Sequence, residues 1–364
     1  MTLAHPNKIR RPSPLAVAVL LGMVACGPAT GDDGTGGDTS AETDADTSGA
    51  TGDGDGDGDG DGDGAGDGDG DGDGDGDGVG DGDGDGDGDG DGDINGALTS
   101  GTFFITQSWD QETGFDRPVH AQVPVGDGPH PVIILLHGNG GNGIGMLNDV
   151  NYLPDHIRVA PDGYLNSWNL NYEQSKAPDV ALIRELITFL KTHTNVDDDD
   201  IAVLGNSNGS GLTNRLLIEL EPDAFHHAIT IVSPLNDLQY QAGEFYYDPT
   251  GGNAYDTTIV PATGRRVCNV SGVDDGIIPY DGGPGVAGYV FIPAEESIYV
   301  WAQHMGFSGP KLASDAGVAS ATDPNLIRYE YLGGDVVHYK VVGAGHNAGV
   351  TPSVRDGIAA FLGY

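Results

Sequence analysis

Residues 205 to 209 read Gly-Asn-Ser-Asn-Gly, one hydroxyl between two glycines. A serine hydroxyl is a weak nucleophile until an imidazole takes its proton, and the imidazole needs a carboxylate to orient it and balance its charge. The chemistry such a set could support is attack on a carbonyl carbon through a covalent acyl intermediate. The pentapeptide alone is weak, because the same string is also a common glycine-rich turn, so its setting has to decide. Ahead of it "IAVLG" (201–205) is an apolar run suited to a buried strand, and behind it "GLTNRLLIELE" (211–221) has helical character. A serine at a strand-to-helix turn is the context of a nucleophile elbow. There the turn is tight and the serine strained, so glycine at 205 and 209 avoids clashes. The following helix also aims backbone N–H groups at developing negative charge.

The base and the acid must come from elsewhere in the chain. After Ser207 the histidines are His226, His227, His304, His338 and His346. His226 and His227 precede any plausible acid, His304 falls in the helical stretch "SIYVWAQHMG", and His338 reads as a half-exposed structural residue of a strand. His346 lies in "VVGAGHNAG", a loop of small residues between the last strand and the last helix, which leaves the imidazole room to reach a serine. It is the expected base. For the acid, "SGVDDGIIPYDGG" (271–283) offers Asp274, Asp275 and Asp281. An oxyanion would be met by the Asn208 N–H together with one from "HGNGGNG" (137–143), which lacks the lysine of a phosphate-binding loop and opens no obvious helix. No metal and no cofactor is expected.

These residues need a frame, and the sequence between them supplies strands alternating with helices. "PVIILLHG" (131–138) is a continuous apolar run, as for a strand buried on both faces. "HIRVAPDG" (156–163) is another, and "APDVALIRELITFLKTH" (177–193) repeats apolar residues at helical spacing. Gly101–Asp110 and Pro118–Val125 read as early strands, "HAITIVS", "RRVCNVSG", "LIRYEYLG" and "VVHYKVVG" as later ones, and "TPSVRDGIAAFLG" (351–363) as a closing helix with Thr351 as N-cap. The pattern predicts an α/β fold, a mostly parallel sheet with helices on both faces. Residues 235 to 264 are rich in Tyr, Gly and Pro without a clear period and read as an insertion near the site.

The 364-residue chain carries a formal charge of −41, concentrated toward its N-terminus. From Ile94 onward there are 12 Lys/Arg and 31 Asp/Glu, a net of −19, within 271 residues, enough for one sizeable α/β domain. An acidic surface argues against nucleic acid and against charge-driven binding to anionic membrane. Lys8, Arg10 and Arg11 precede the apolar run "PLAVAVLLGMVA" (14–25), too short for a membrane span and suited to a secretory signal. The run ends in "MVACG", which resembles the lipobox of bacterial lipoproteins, with Met23 in place of the usual leucine and Cys26 as the acylated residue. With Cys26 consumed, Cys268 has no partner for an intrachain disulfide. Strict Gly/Asp alternation runs from Gly52 to Asp93, broken only at Ala65 and Val79. Its nineteen aspartates repel, its glycines have much entropy to lose, and it has almost nothing apolar to bury. The organisation expected is therefore a signal peptide over 1–26, a disordered tether over 27–96 and a catalytic domain over 97–364. "DGDGDG" resembles the start of a calcium loop, but its terminal glutamate and flanking helices are missing.

Several blocks taken together resemble the polyhydroxybutyrate depolymerase and feruloyl/acetylxylan esterase branch of the α/β-hydrolases. They are "LLHGNGG", "VAPDGY" with "NSWN", "DVALIRELI", "VLGNSNGSGLTNRL", "VSGVDDGIIPYDGG" and "GAGHNAG", in family order across residues 120 to 364. The resemblance implies Ser207 as nucleophile, Asp275 as acid, His346 as base and backbone donors at Asn139 and Asn208. It also makes Trp168 a candidate for the substrate pocket. The chain departs from the family in lacking a tryptophan–proline pair after the base, in having no cysteine pair beside Trp168, and in placing Ser271 where a histidine is usual. The implied protein is a monomeric, secreted, lipid-anchored serine esterase on a bacterial outer membrane or cell surface, acting on esters of polyester or plant-polysaccharide type. The competing readings are a serine peptidase or thioesterase on the same fold, and a non-catalytic surface lipoprotein.

Overall fold

Every second residue of Val132-Ile133-Ile134-Leu135-Leu136 must find a different core, because successive side chains of a strand point to opposite faces. A computed structural model, which describes residues 96 to 364, shows both cores. Val132, Ile134 and Leu136 pack on one side, and Ile133 and Leu135 on the other. The segment expected to be a signal peptide, Cys26 and the Gly/Asp tract lie outside the described residues.

The chain begins with the strands β1 (Gly101–Trp109), β2 (Glu112–Gln122) and β3 (His130–Leu136), then helix α1 (Gly143–Asp149) and β4 (Ile157–Pro161). Next come α2 (Asp179–Leu190), β5 (Val196–Asn206), α3 (Asn208–Glu219) and β6 (His227–Ile231). Three short strands follow, β7 (Tyr240–Gln241), β8 (Glu244–Tyr247) and β9 (Thr257–Ile259), and then β10 (Arg266–Gly272). After the β11 (Gly283–Pro284) and β12 (Val290–Phe291) pair come α4 (Ala294–His304), β13 (Val318–Ala319), β14 (Leu326–Tyr331), β15 (Val336–Val341) and α5 (Pro352–Leu362).

The main sheet has ten strands in the order β1-β2-β4-β3-β5-β6-β10-β15-β14-β13. From β4 to β15 every neighbouring pair is parallel, and the strands outside these pair antiparallel. Residues of α2, α3 and α4 fill the core on one face, and residues of α1 and α5 fill the other. The covered, mostly parallel sheet is the one the alternating pattern predicts. Among the described residues no helix is long and apolar enough to cross a membrane.

The structure differs from the sequence reading at several local points. Strand β5 starts at Val196 rather than Ile201, and its register against β3 slips between His130 and Val132, so the Asp197–Asp200 run is accommodated as an irregularity. Helix α3 starts directly after Ser207, three residues earlier than its periodicity suggests, since glycine, serine and asparagine of its first turn carry no apolar signal. The 137–143 loop does open a helix, the short α1, whose N-cap Asn142 accepts the Gly145 N–H at 2.8 Å. Residues 240 to 259 form a small three-stranded antiparallel sheet of their own. Thr351 stands at the N-cap of α5, but its side chain makes no capping bond.

At the chain's entry, Thr194 donates its N–H to the Gly96 carbonyl at 3.1 Å and Leu98 donates to Asn195 Oδ1 at 2.7 Å. Both bonds fall just before β5 begins.

Candidate active site

Ser207 joins β5 to α3 with φ 53° and ψ −115°, a strained conformation for a residue with a side chain. Two close approaches hold it there. A Cβ on Gly205 would overlap the Gly209 carbonyl, and one on Gly209 would overlap the Leu136 carbonyl of β3. The Ser207 N–H is bound to the Ile231 carbonyl of β6 at 2.9 Å, which fixes the backbone from the other side.

His346 lies on the loop between β15 and α5, and Asp275 on the loop after β10. These loops meet because β10 and β15 are parallel neighbours whose ends point the same way. Gly272 closes the gap, since a Cβ there would overlap the Ala344 and Gly345 carbonyls. The Asp274 N–H then bonds the Ala344 carbonyl at 2.9 Å and the Val273 N–H bonds Val341 at 3.0 Å. Across this seam His346 Nδ1 stands 2.8 Å from Asp275 Oδ2, and its Nε2 stands 2.8 Å from Ser207 Oγ. A carboxylate only accepts, so Nδ1 carries the proton and Nε2 is left to receive the serine's. The structure thus brings Ser207, Asp275 and His346 into one hydrogen-bonded line.

Asp275 is buried, and its other oxygen, Oδ1, accepts the N–H groups of Ile277 at 2.8 Å and Ile278 at 2.9 Å. Burial pushes its carboxyl upward, but the hydrogen bonds from His346 and from those two amides outweigh it and hold the group below the usual carboxylate range. Asp275 thus also makes an Asx-type turn, while Asp274 and Asp281 are exposed.

The loop after β3 lies against the serine, with the Cβ position of Gly138 3.5 Å from Ser207 Cβ. Among the described residues, neither the Asn139 N–H nor the Asn208 N–H has an acceptor, and the latter is the first of α3. His137 anchors this loop through its own side chain. Its Nδ1–H donates to the Gly138 carbonyl at 2.7 Å and its Nε2 accepts the Gly163 N–H at 2.9 Å. The second bond requires the neutral ring, since Nε2 can accept only when unprotonated, and burial lowers its pKa accordingly.

Trp168 does not line a pocket: it is 0% exposed. Its indole N–H donates to the His137 carbonyl at 2.8 Å, so it braces the loop from beneath. His338 is likewise fully buried rather than half-exposed, bound to Asn269 at 2.8 Å and to the Tyr280 hydroxyl at 2.9 Å, and burial pushes it down to about 4. His304 bonds the Pro261 carbonyl at 2.9 Å, outside the triad. The insertion does approach the site's neighbourhood. Gln239 reaches the Gly211 carbonyl of α3 at 2.9 Å and Asn253 reaches Asn169 at 2.9 Å. Sequence reasoning missed His137 and Glu173, which bonds Asn208 at 3.3 Å. His137 was visible as the residue opening the glycine loop; nothing marked Glu173. The side chains of Asp197, Asp198 and Asp199 gather closely enough to hold a cation, but they stand at the start of β5, the end opposite Ser207.

No protein-family model matches the chain, and no curated protein does. Among solved structures it is similar to an acetyl xylan esterase from Aspergillus awamori, with TM-score 0.50 and 16% identity over 72% of this chain and 99% of that one. The fold is that of the α/β-hydrolases. Esterase 2 of Thermogutta terrifontis is similar at TM-score 0.47 and 14% identity, covering 73% of this chain and 95% of its own. The poly(3-hydroxybutyrate) depolymerase LpqC of Bordetella parapertussis is similar at TM-score 0.44 and 17% identity, covering 72% and 88%. In an α/β-hydrolase the serine follows a central strand and the acid and base come later in the chain in that order. Ser207, Asp275 and His346 follow that chain order, Ser207 directly after the central strand β5.

Proposed function

We propose that this protein is a serine hydrolase of carboxylic esters, with Ser207 as nucleophile, His346 as base and Asp275 as its orienter. The observation that carries the reading is the continuous bonding of Ser207 Oγ to His346 Nε2 and of His346 Nδ1 to Asp275, at 2.8 Å each. Ser207 Oγ attacks the ester carbonyl carbon as its proton passes to His346 Nε2. The carbonyl oxygen takes up the electron pair and is met by the N–H groups of Asn139 and Asn208. Collapse breaks the bond to the alcohol, which leaves with the proton from His346, and Ser207 holds the acyl group. Water then attacks that ester with His346 again as base, releasing the acid and restoring the hydroxyl.

The reading extends to soluble aryl or short-chain esters as better substrates than solid polyester. In support, the stretch after the base offers no large aromatic contact. Ala348 is fully buried, and a side chain at Gly349 would press on Ile231. Secretion and a lipid at Cys26 also belong to the proposal and rest on the basic start, the apolar run and "MVACG". The test is an ester, amide and thioester panel on the full chain, together with a fluorophosphonate label. Turnover of esters with label on Ser207 is expected. Faster cleavage of amides or thioesters would move the protein to another hydrolase class, and absence of both turnover and label would leave a binding protein.

A further inference from the structure

Glu173 has no lysine or arginine partner among the described residues, and its carboxylate instead collects donors from three separate segments. Oε2 accepts the N–H groups of Leu170 at 3.0 Å and Asn171 at 2.9 Å. Oε1 accepts Asn208 Nδ2 at 3.3 Å, and the Tyr289 hydroxyl stands 3.0 and 2.9 Å from the two oxygens. The Asn208 side chain extends the tie: its Oδ1 accepts the Trp168 N–H at 2.7 Å and its Nδ2 donates to the Trp168 carbonyl at 3.1 Å. Tyr289 in turn accepts the Tyr172 N–H at 3.1 Å. One anion thus ties the first residue of α3 to the 168–173 segment and to the residue just before β12.

A carboxylate has about four acceptor positions, and hydrogen bonds to an ionised acceptor are roughly twice as strong as neutral ones. Four donors from three segments therefore leave little freedom at the group they share. We propose that Glu173 is a positioning residue for the oxyanion-stabilising amide of Asn208. In the proposed mechanism Asn208 serves twice, its N–H as an oxyanion donor and its side chain as the group held by Glu173 and Trp168. On the N-terminal side its backbone is set by the strained Ser207. On the side-chain side it is set by this tie. An oxyanion donor must sit within hydrogen-bonding reach of where charge develops, and removing one outright costs about 10² to 10³ in kcat. Loosening one costs less, and the loss falls on kcat because the charge exists only in the transition state.

The inference rests on the ester-hydrolase reading, so the experiment has two readouts on the full chain: kcat and KM for p-nitrophenyl acetate, and the rate of Ser207 phosphonylation by a fluorophosphonate. Glu173→Ala should lower kcat by about 10- to 100-fold, with KM changed less than about threefold, and slow phosphonylation in step. Asn208→Ala should behave alike, and the double variant should be no worse than the worse single one, because both remove the same tie. Glu173→Gln keeps one carbonyl acceptor and should recover part of the rate. A folded Glu173→Ala protein with wild-type kcat overturns the proposal, as do losses that multiply in the double variant. Should Glu173→Ala fail to fold, Glu173→Gln decides alone, with a selective kcat loss expected and a wild-type kcat contradicting it. A wild-type chain that neither turns over the ester nor takes the label would overturn the hydrolase reading and this inference with it. A wild-type chain that does both, alongside an unaffected Glu173 variant, overturns only the inference.

Discussion

Asp275 gives one oxygen to the His346 imidazole and the other to two backbone amides, whereas Asp274 beside it is exposed and joins the base loop only through its backbone. Adjacent loop residues point their side chains apart, so only one of the two can orient the base. Asp275→Asn removes the charge that stabilises the imidazolium and favours the wrong tautomer. In a serine protease the same change at the triad aspartate costs about 10⁴ in kcat, and a loss of that order is expected here. Asp274→Asn should stay within about tenfold of wild type, or about 1.4 kcal/mol of transition-state stabilisation. Steady-state kinetics of the two folded variants decide the matter, and an exchange of their outcomes would move the acid by one residue. At this scale the three residues of the hydrogen-bonded line are legible because each sits in a glycine-rich loop at the end of an apolar run. Glu173 is not, since its partners Asn208 and Tyr289 lie 35 and 116 residues away and no local pattern marks such a tie. Trp168 was misread for a related reason: a tryptophan beside a site in sequence says nothing of which side of the loop it faces.

The elements place these side chains by touching backbone to backbone. Gly272 ends β10 where the base loop passes, and any side chain there would push on carbonyls that cannot swing aside. Gly272→Ala should therefore separate the acid loop from the base loop. Overpacking of this kind typically costs about 1 to 3 kcal/mol of stability. The expected result is a lower urea midpoint with an unchanged slope, and a loss of kcat larger than the stability change explains. A variant as stable and as active as wild type would show that the seam is slack. Apolar runs revealed the central strands, since a strand covered on both faces is apolar throughout. They did not reveal the start of β5, where four aspartates hide a strand irregularity, nor the short strands β7 to β9, too brief for a period to emerge.

For the molecule as a whole, acid should be the weak side of its stability. The His338 imidazole, pushed down to about 4 by burial, is packed among Asn269, Tyr280 and Tyr329, with Glu295 and Lys340 nearby. An unfolded histidine titrates near 6.5. Between those values the unfolded chain binds a proton that the folded chain refuses, so stability falls as pH is lowered through this window. At about 1.4 kcal/mol per unit the loss is roughly 3 kcal/mol. Asp275, held below its ordinary value, contributes stability above the unfolded carboxylate range that is lost as pH falls further. Urea titrations from pH 7 to pH 4 should show the decline, and His338→Gln should flatten it; equal slopes for both proteins would assign the decline to other groups. Deleting residues 1 to 93 should leave ester turnover unchanged, because every triad and oxyanion group lies beyond them, and a large fall in kcat would place that segment in the site. The bonds of Gly96 and Leu98 to the residues just before β5 carry one further consequence. The polypeptide enters at the foot of the strand whose head bears Ser207, on the order of 30 Å away for eleven residues. A load or graft applied at Gly96 is therefore taken up at the end of β5 remote from Ser207, and the serine's own surroundings are spared.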